Sequence, residues 1–404
     1  MRFVCLFILM FVSAILNAQI VNIPDPVFKN ALVNTPCVDT NGDGSGDADA
    51  DTNDDGEIQV AEAEAVLGLY IPFTNINSLT GLESFINLEV FQCQTTFVTG
   101  IDVSTLTNLR VLLISDNNLL NLDITQNPYL ERLDCHGNDL NNLIVSQNPL
   151  LVYLNCAQND LSVLDVQNNT VLETLSIGGQ SIAAIDLSQN PNLELLNFED
   201  NNFTALDISN NPNLVGLFVA ENKLTQLDLS QNPNLEVITC SENQLVELDV
   251  SQNTSLEFLW CHENSLTSLN LKNGNNVVLN YMRAENNPNL SCIQVDDVDY
   301  ANQQTNWLKD GSAVYSEECA LGVENMELSS QIFVYPNPVE ELLFIESTLS
   351  IEIESLKMYN LLGELILSKT KDFTQTDVSA LKSGMYFLKV STEAGSSTKR
   401  VIKL

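Results

Sequence analysis

Residues 235–255 read LEVITCSENQLVELDVSQNTS, and the arrangement of apolar residues in this stretch decides the fold. Leu235, Ile238 and Cys240 are closed by Asn243; Leu245, Leu248 and Val250 are closed in the same way by Asn253. One half-motif is therefore written twice. Within each half, apolar residues two apart have strand period, and the asparagine marks a turn. The unit recurs along the chain, with leucines at 88, 109, 130, 151, 172, 193, 214, 235 and 256, each 21 residues after the last. The ends are irregular, as capping repeats are: Val66, Leu69 and Ile71 precede the array at a longer interval, and Leu279 follows at another.

A coil with two such halves predicts two short strands, one on each side. Successive coils then stack into two parallel sheets around a thin shared core, a mainly β solenoid. Asn117, Asn138, Asn159, Asn201, Asn222, Asn243 and Asn264 form one expected inward ladder, and Asn127, Asn148, Asn190, Asn211, Asn232 and Asn253 a second. Their amides can satisfy turn backbone that stacking would otherwise bury unpaired. Pro128, Pro149, Pro191, Pro212 and Pro233 each follow the second asparagine, where a missing N–H costs little. Cys93, Cys135, Cys156, Cys240 and Cys261 share one inward position with Ile114, Ile177, Phe198 and Val219, so they are expected as buried thiols.

On these residues the chain resembles the leucine-rich repeat family, specifically the 21-residue repeats of secreted bacterial proteins, over residues 66–290. It departs from the pattern at Ile144, where the repeat has Asp, at Gln180, where it has Asn, and at 272–276, where two residues are inserted.

Composition narrows the function. The 404 residues carry 53 acidic and 16 basic side chains, a net charge of −37, which disfavours any nucleic-acid partner because such binding depends on Lys and Arg displacing counterions. The two histidines, His136 and His262, stand six coils apart, roughly 29 Å at about 4.8 Å per strand. They cannot share a metal or a triad. The sequence has no nucleophile elbow, P-loop, dinucleotide fingerprint or zinc helix motif, so no enzyme activity and no catalytic residue is expected.

Residues 1–18 carry Arg2, an apolar run from Phe3 to Leu16 and Ala18 before Gln19, the pattern of a secretory signal peptide, and no transmembrane segment is expected after its removal. Export permits disulfides, and Cys292 with Cys319 is the best candidate pair.

Residues 19–65 form an expected N-terminal cap, with a helix from Pro26 to Val33 started by Asp25 and covering the first coil with Val27, Phe28, Leu32 and Val33. Residues 51–62, DTNDDGEIQVAE, match the defining positions of an EF-hand loop: Asp51, Asn53 and Asp55 as oxygen ligands, Gly56 for the turn, Glu57 through its carbonyl, and Glu62 as the bidentate closer. Just upstream, Asp39, Asn41, Asp43, Gly44, Asp47 and Asp49 begin a second such loop, but Ala50 stands where the closing Glu would be, and this half resembles thrombospondin-type or dockerin-type calcium loops. Ten carboxylates between Asp39 and Glu64 would repel one another without a cation, so calcium is the expected cofactor, ordering the cap. The order of helix, acidic loop and repeats also resembles the N-termini of secreted leucine-rich repeat proteins of Bacteroidota-type bacteria.

After an expected C-terminal cap at 291–321 and a linker at 322–331, residues 332–404 alternate strands and turns in an all-β sandwich pattern. YPNP at 335–338, MYNLLG at 358–363 and GMYFLKV at 384–390 together resemble the type A sorting domain of the type IX secretion system. That resemblance implies engagement with the secretion machinery, transport across the outer membrane, and a protein that is secreted or held at the cell surface.

Side chains two, four and six residues beyond each leading leucine are expected to face outward from the first sheet. They include Arg132, Asp134, His136, Tyr153 and Asn155 on one stretch, and Phe218, Phe258, Trp260, His262, Tyr281 and Arg283 on another. Aromatics exposed on neighbouring strands favour the second stretch as a binding patch for an extracellular protein or glycan. The competing expectation is a structural cell-surface spacer or layer protein with no specific ligand.

Overall fold

The computed structural model describes residues 19–71, 75–319, 332–347, 353–361, 363–392 and 395–404. The expected signal peptide and the linker at 322–331 lie outside the described residues. The chain divides into two compact units, Met1–Glu317 and Glu318–Leu404.

In the first unit one strand per coil joins a single parallel sheet of 12 strands, running in chain order from Gly68–Ile71 to Trp307–Lys309. The register is strict: Leu217, Ile238, Leu259 and Met282 are partners on successive strands, so the central inward residue of each coil stacks on the next. A one-residue slip would turn that row out to solvent.

The second wall differs from the expectation of a full sheet. Only Glu247–Asp249, Ser268–Asn270, Cys292–Gln294 and Val314–Ser316 pair there, as a sheet of 4 strands. In earlier coils the backbone crosses to the preceding coil by bonds such as Asn202 N–H to Ile182 O (2.9 Å) and Lys223 N–H to Phe203 O (2.9 Å). From Ser265 onward a second crossing appears, Thr267 N–H to Val246 O (2.8 Å), and a ladder forms. Leu224, Leu227 and Leu229 are buried without one. Burial therefore fixes which side chains point inward and leaves the pairing of the backbone between them open.

Both asparagine ladders are buried, and they work differently. In the first, Asn201 accepts from Ile182 N–H through Oδ1 (3.0 Å) and donates to Ile177 O (2.8 Å), one coil back. Gln180 does the same with its longer amide, accepting from Leu161 N–H (3.1 Å) and donating to Cys156 O (3.0 Å), so this departure from the repeat preserves its hydrogen bonds. In the second ladder each amide donates twice: Asn211 reaches Leu187 O (3.2 Å) and Asn190 O (2.9 Å), while its Oδ1 is buried with no partner. Asn169 belongs to this ladder as well, reaching Val145 O and Asn148 O.

The helix Pro26–Asn34 buries Phe28, Ala31 and Leu32 against the first coils. Asp25 caps it with Oδ1, accepting from Val27 N–H (2.9 Å) and Phe28 N–H (3.1 Å). Its Oδ2 accepts from Asn77 N–H (3.0 Å) and Ser78 N–H (3.1 Å), tying the helix to the array. One carboxylate thus satisfies two helix-terminal donors and two loop donors. At the other end, residues 291–317 continue the spiral: after the helix Val298–Gln303, Trp307–Lys309 extends the long sheet and Val314–Ser316 the short one. Trp307 closes this end, its Nε1–H donating to Leu279 O (2.9 Å) and its ring edge-on to Tyr300 and Tyr315.

The second unit consists of antiparallel sheets of 3 and 4 strands. They enclose Ile332, Val339, Leu343, Ile345, Leu356, Met358, Leu388, Val390 and Val401. Asn337 holds the terminal strand: its Nδ2–H donates to Arg400 O (2.6 Å) and its Oδ1 accepts from Ile402 N–H (2.8 Å).

Candidate functional site

The outward rows of the long sheet place four of the expected aromatics together. Phe258 and Tyr281 are partners on adjacent strands, and their rings stack at 5.2 Å with 9° between planes. Trp260 pairs with Arg283 in the same two strands, beside Thr239 and then Phe218 on the next two. Trp260 is 42% and Tyr281 46% exposed, large values for aromatic rings on a sheet. Phe218 is half-buried, because its ring lies over Gly216, where an added Cβ would meet the ring at 3.0 Å. Arg283 is ion-paired with Glu285, which fixes its guanidinium at the rim.

His262 lies at the edge of this face but is covered. It is 9% exposed, in contrast to the outward position expected of it. The strand ends at Trp260, and the chain turns at Cys261–Glu263, with Cys261 N–H bonded to Arg283 O (2.8 Å) and Glu263 N–H to Glu285 O (3.1 Å). Ser115, Ala220 and Ser241 at the same place in other coils are buried too.

The first stretch is a built polar network. His136 Nδ1 lies 2.6 Å from Asp134 Oδ1 and 3.2 Å from Asn155 Nδ2, and His136 Nε2 is 3.6 Å from Asp116 Oδ2. Asp134 holds the outward register but is buried beside His136, and the Arg132 guanidinium sits 3.7 Å over the Tyr153 ring. Next to it opens a shallow cleft of about 320 Å³ lined by His136, Asn155, Asn197, Glu199, Asp200 and Glu221, among others. Glu199, Asp200 and Glu221 carry no signal in the repeat pattern. They come together because their coils stack in register. The charges of Glu242, then of Asp200 and Glu199, together with slight burial, hold the Glu221 carboxyl above its usual range.

The two acidic loops have one design. Gly56 N–H donates to Asp51 Oδ2 (2.7 Å), Asp55 N–H to Asn53 Oδ1 (2.9 Å) and Glu57 N–H to Asp55 Oδ1 (2.9 Å). Twelve residues earlier, Gly44 N–H donates to Asp39 Oδ2 (2.9 Å), Asp43 N–H to Asn41 Oδ1 (2.8 Å) and Ser45 N–H to Asp43 Oδ1 (3.0 Å). Glu62 accepts from Thr52 N–H (3.0 Å) and Gln59 N–H (2.9 Å), which pins its carboxylate across the second loop. In the first loop Asp47 takes that place, accepting from Thr40 N–H (3.0 Å) and its hydroxyl (2.7 Å). The EF-hand spacing puts Ala50 at the closing position, and the fold brings Asp47, three residues earlier, across the loop instead. The curled backbone and the inward carboxylate and amide oxygens fit a hard cation that takes oxygen ligands.

Cys93, Cys135, Cys156, Cys240 and Cys261 are buried free thiols. Burial pushes Cys93, Cys156 and Cys240 up to about 12, far from nucleophilic use. Cys292 and Cys319 are the disulfide-bonded cysteines among the described residues.

Residues 333–404 match the secretion system C-terminal sorting domain family. This tail marks the chain for type IX export to the cell surface or the medium, and no helix among the described residues is long and apolar enough to cross a membrane. No curated protein is significantly similar to the chain. Among solved structures, an internalin (InlF) from Listeria monocytogenes is 18% identical, with a TM-score of 0.51 over 74% of this chain and 96% of its own. The functional domain of InlJ from Listeria monocytogenes, which includes a cysteine ladder, is 23% identical, with a TM-score of 0.47 over 96% of this chain and 98% of its own. YopM, a leucine-rich effector protein from Yersinia pestis, is 19% identical, with a TM-score of 0.48 over 62% and 78%. The first unit therefore has the leucine-rich repeat fold, and no enzyme family is indicated.

Proposed function

We propose that the exported solenoid is a non-enzymatic recognition or adhesion module that binds an extracellular protein or glycan on the strand face around Trp260. One observation carries this reading: Trp260, Tyr281 and Phe258 lie on two adjacent strands, partly open to water, with Arg283 held beside them. Aromatic rings that a fold leaves uncovered on a rigid sheet offer large contact area at little entropic cost, and they stack on sugar rings or fill a partner's pockets. Calcium has a structural role in this reading. Held by Asp51, Asn53, Asp55, the Glu57 carbonyl and Glu62, with Asp39, Asn41 and Asp43 in the neighbouring loop, it orders the N-terminal cap.

Glycan and protein arrays probed with the purified chain test the recognition role. Trp260→Ala should lose most of the captured signal, on the order of tenfold or more for a central aromatic anchor. Its melting temperature should stay within a few degrees, since the ring is partly solvated. Equal capture by Trp260→Ala would move the site off this face. Absence of any captured ligand for the parent chain would favour a spacer.

A further inference from the structure

We infer that Glu242, His262 and Glu263 form a site for a divalent transition metal, zinc or a similar imidazole-binding ion, at the edge of the strand face. This inference is independent of the recognition reading. A ring nitrogen of His262 and carboxylate oxygens of Glu242 and Glu263 all lie within 4.8 Å of one another, the one such group among the described residues. Proximity of acids alone would mean little. The independent observation is His262 itself: the side chain is about nine-tenths buried, and its Nδ1 has no hydrogen-bond partner. A buried ring nitrogen without a partner forfeits a hydrogen bond's worth of solvation, which a coordinated cation would restore.

The fold supplies the convergence. Glu242 and Glu263 occupy the same turn position on adjacent coils, both in the left-handed region at φ 54° and 55°. Their backbones are tied through the intervening histidine, Glu242 N–H donating to His262 O (3.1 Å) and Asn264 Nδ2–H to the same oxygen (3.3 Å). Asp200 and Glu221 continue the row at φ 53° and 54°, so the turn presents four stacked carboxylates. None of the described ion pairs neutralises Glu242 or Glu263. At about 2.0–2.2 Å from one ion, tetrahedral donors stand roughly 3.5 Å apart, so the two exposed glutamates need close by only about 1 Å. One imidazole and two carboxylates suit zinc rather than calcium, which prefers oxygen ligands throughout. With three protein donors, a further coordination position faces solvent.

The test titrates zinc, with cobalt(II) as the spectroscopic probe, into the metal-stripped full chain with calcium in excess, so that the acidic loops do not compete. The expected result is one ion per chain, a visible cobalt band displaced by zinc, and a melting temperature raised by zinc. Outer-sphere partners of metal sites are already worth 10–100-fold, so His262→Gln and Glu263→Gln should each weaken zinc on the order of 100-fold, while Asp207→Asn leaves it unchanged. Should His262→Gln fail to fold by circular dichroism, the exposed pair Glu242→Gln and Glu263→Gln decides. No zinc bound to the folded parent chain, or undiminished affinity in that double variant, would overturn the assignment.

Discussion

Asn201 and Asn211 look interchangeable in the repeat and are not. Asn201 satisfies a buried N–H as well as a carbonyl, whereas Asn211 serves carbonyls only and leaves its own oxygen unpaired. Asn190 O, one of its acceptors, also receives Leu193 N–H (3.3 Å). Asn201→Ala is therefore the more damaging change, about 2–4 kcal/mol against roughly half that for Asn211→Ala, measured by urea unfolding. Equal costs would mean that the stacked carbonyls matter as much as the N–H. The two ladders are legible in the sequence because a period repeats them. The burial of His262 is not, since its row mixes Ser, Ala, Gly, Glu and His.

At the scale of the element, the acidic loops and the second wall separate what pattern can and cannot fix. Spacing alone identifies residues 51–62 as an oxygen-rich loop, and the structure adds Asp47 as closer of the loop before it. Glu62 bridges Thr52 and Gln59, and the loop sits between the helix Pro26–Asn34 and the first strand. Chelation should therefore lower the melting temperature of the whole array, because a terminal coil whose cap loosens exposes its core. Glu62→Ala should abolish the calcium dependence; a chelator shift that survives in this variant would assign the effect to another site. The sparse pairing of the second wall escaped the sequence because inward leucines have strand period whether or not neighbouring backbones form a ladder.

Across the whole molecule, charge is the dominant long-range property. Asp102, Asp123, Asp186, Asp207 and Asp228 occupy one turn position of the repeat, and each carboxyl is held below its usual range by the hydroxyl and N–H of the Ser or Thr two positions on. A depressed carboxyl stabilises the folded state above its unfolded pKa, near 3.9, and that contribution is lost as pH falls through the lower folded value. The melting temperature should accordingly fall as pH drops below about 4, and replacing Asp186, Asp207 and Asp228 together with Asn should flatten that fall in thermal melts. An unchanged acid limb would mean that those turns bind protons alike folded and unfolded. By itself the sequence determined the coil, its inward residues, the acidic loops and the export tail, because each is a local pattern of apolar period, turn chemistry or ligand spacing. Only the tertiary structure decided which side chains meet across coils: the Phe258–Tyr281 stack, the His136 network and the Glu242–His262–Glu263 cluster. Those encounters join residues about 20 positions apart in the chain, and parallel stacking at about 4.8 Å per coil, not local spacing, brings them into contact.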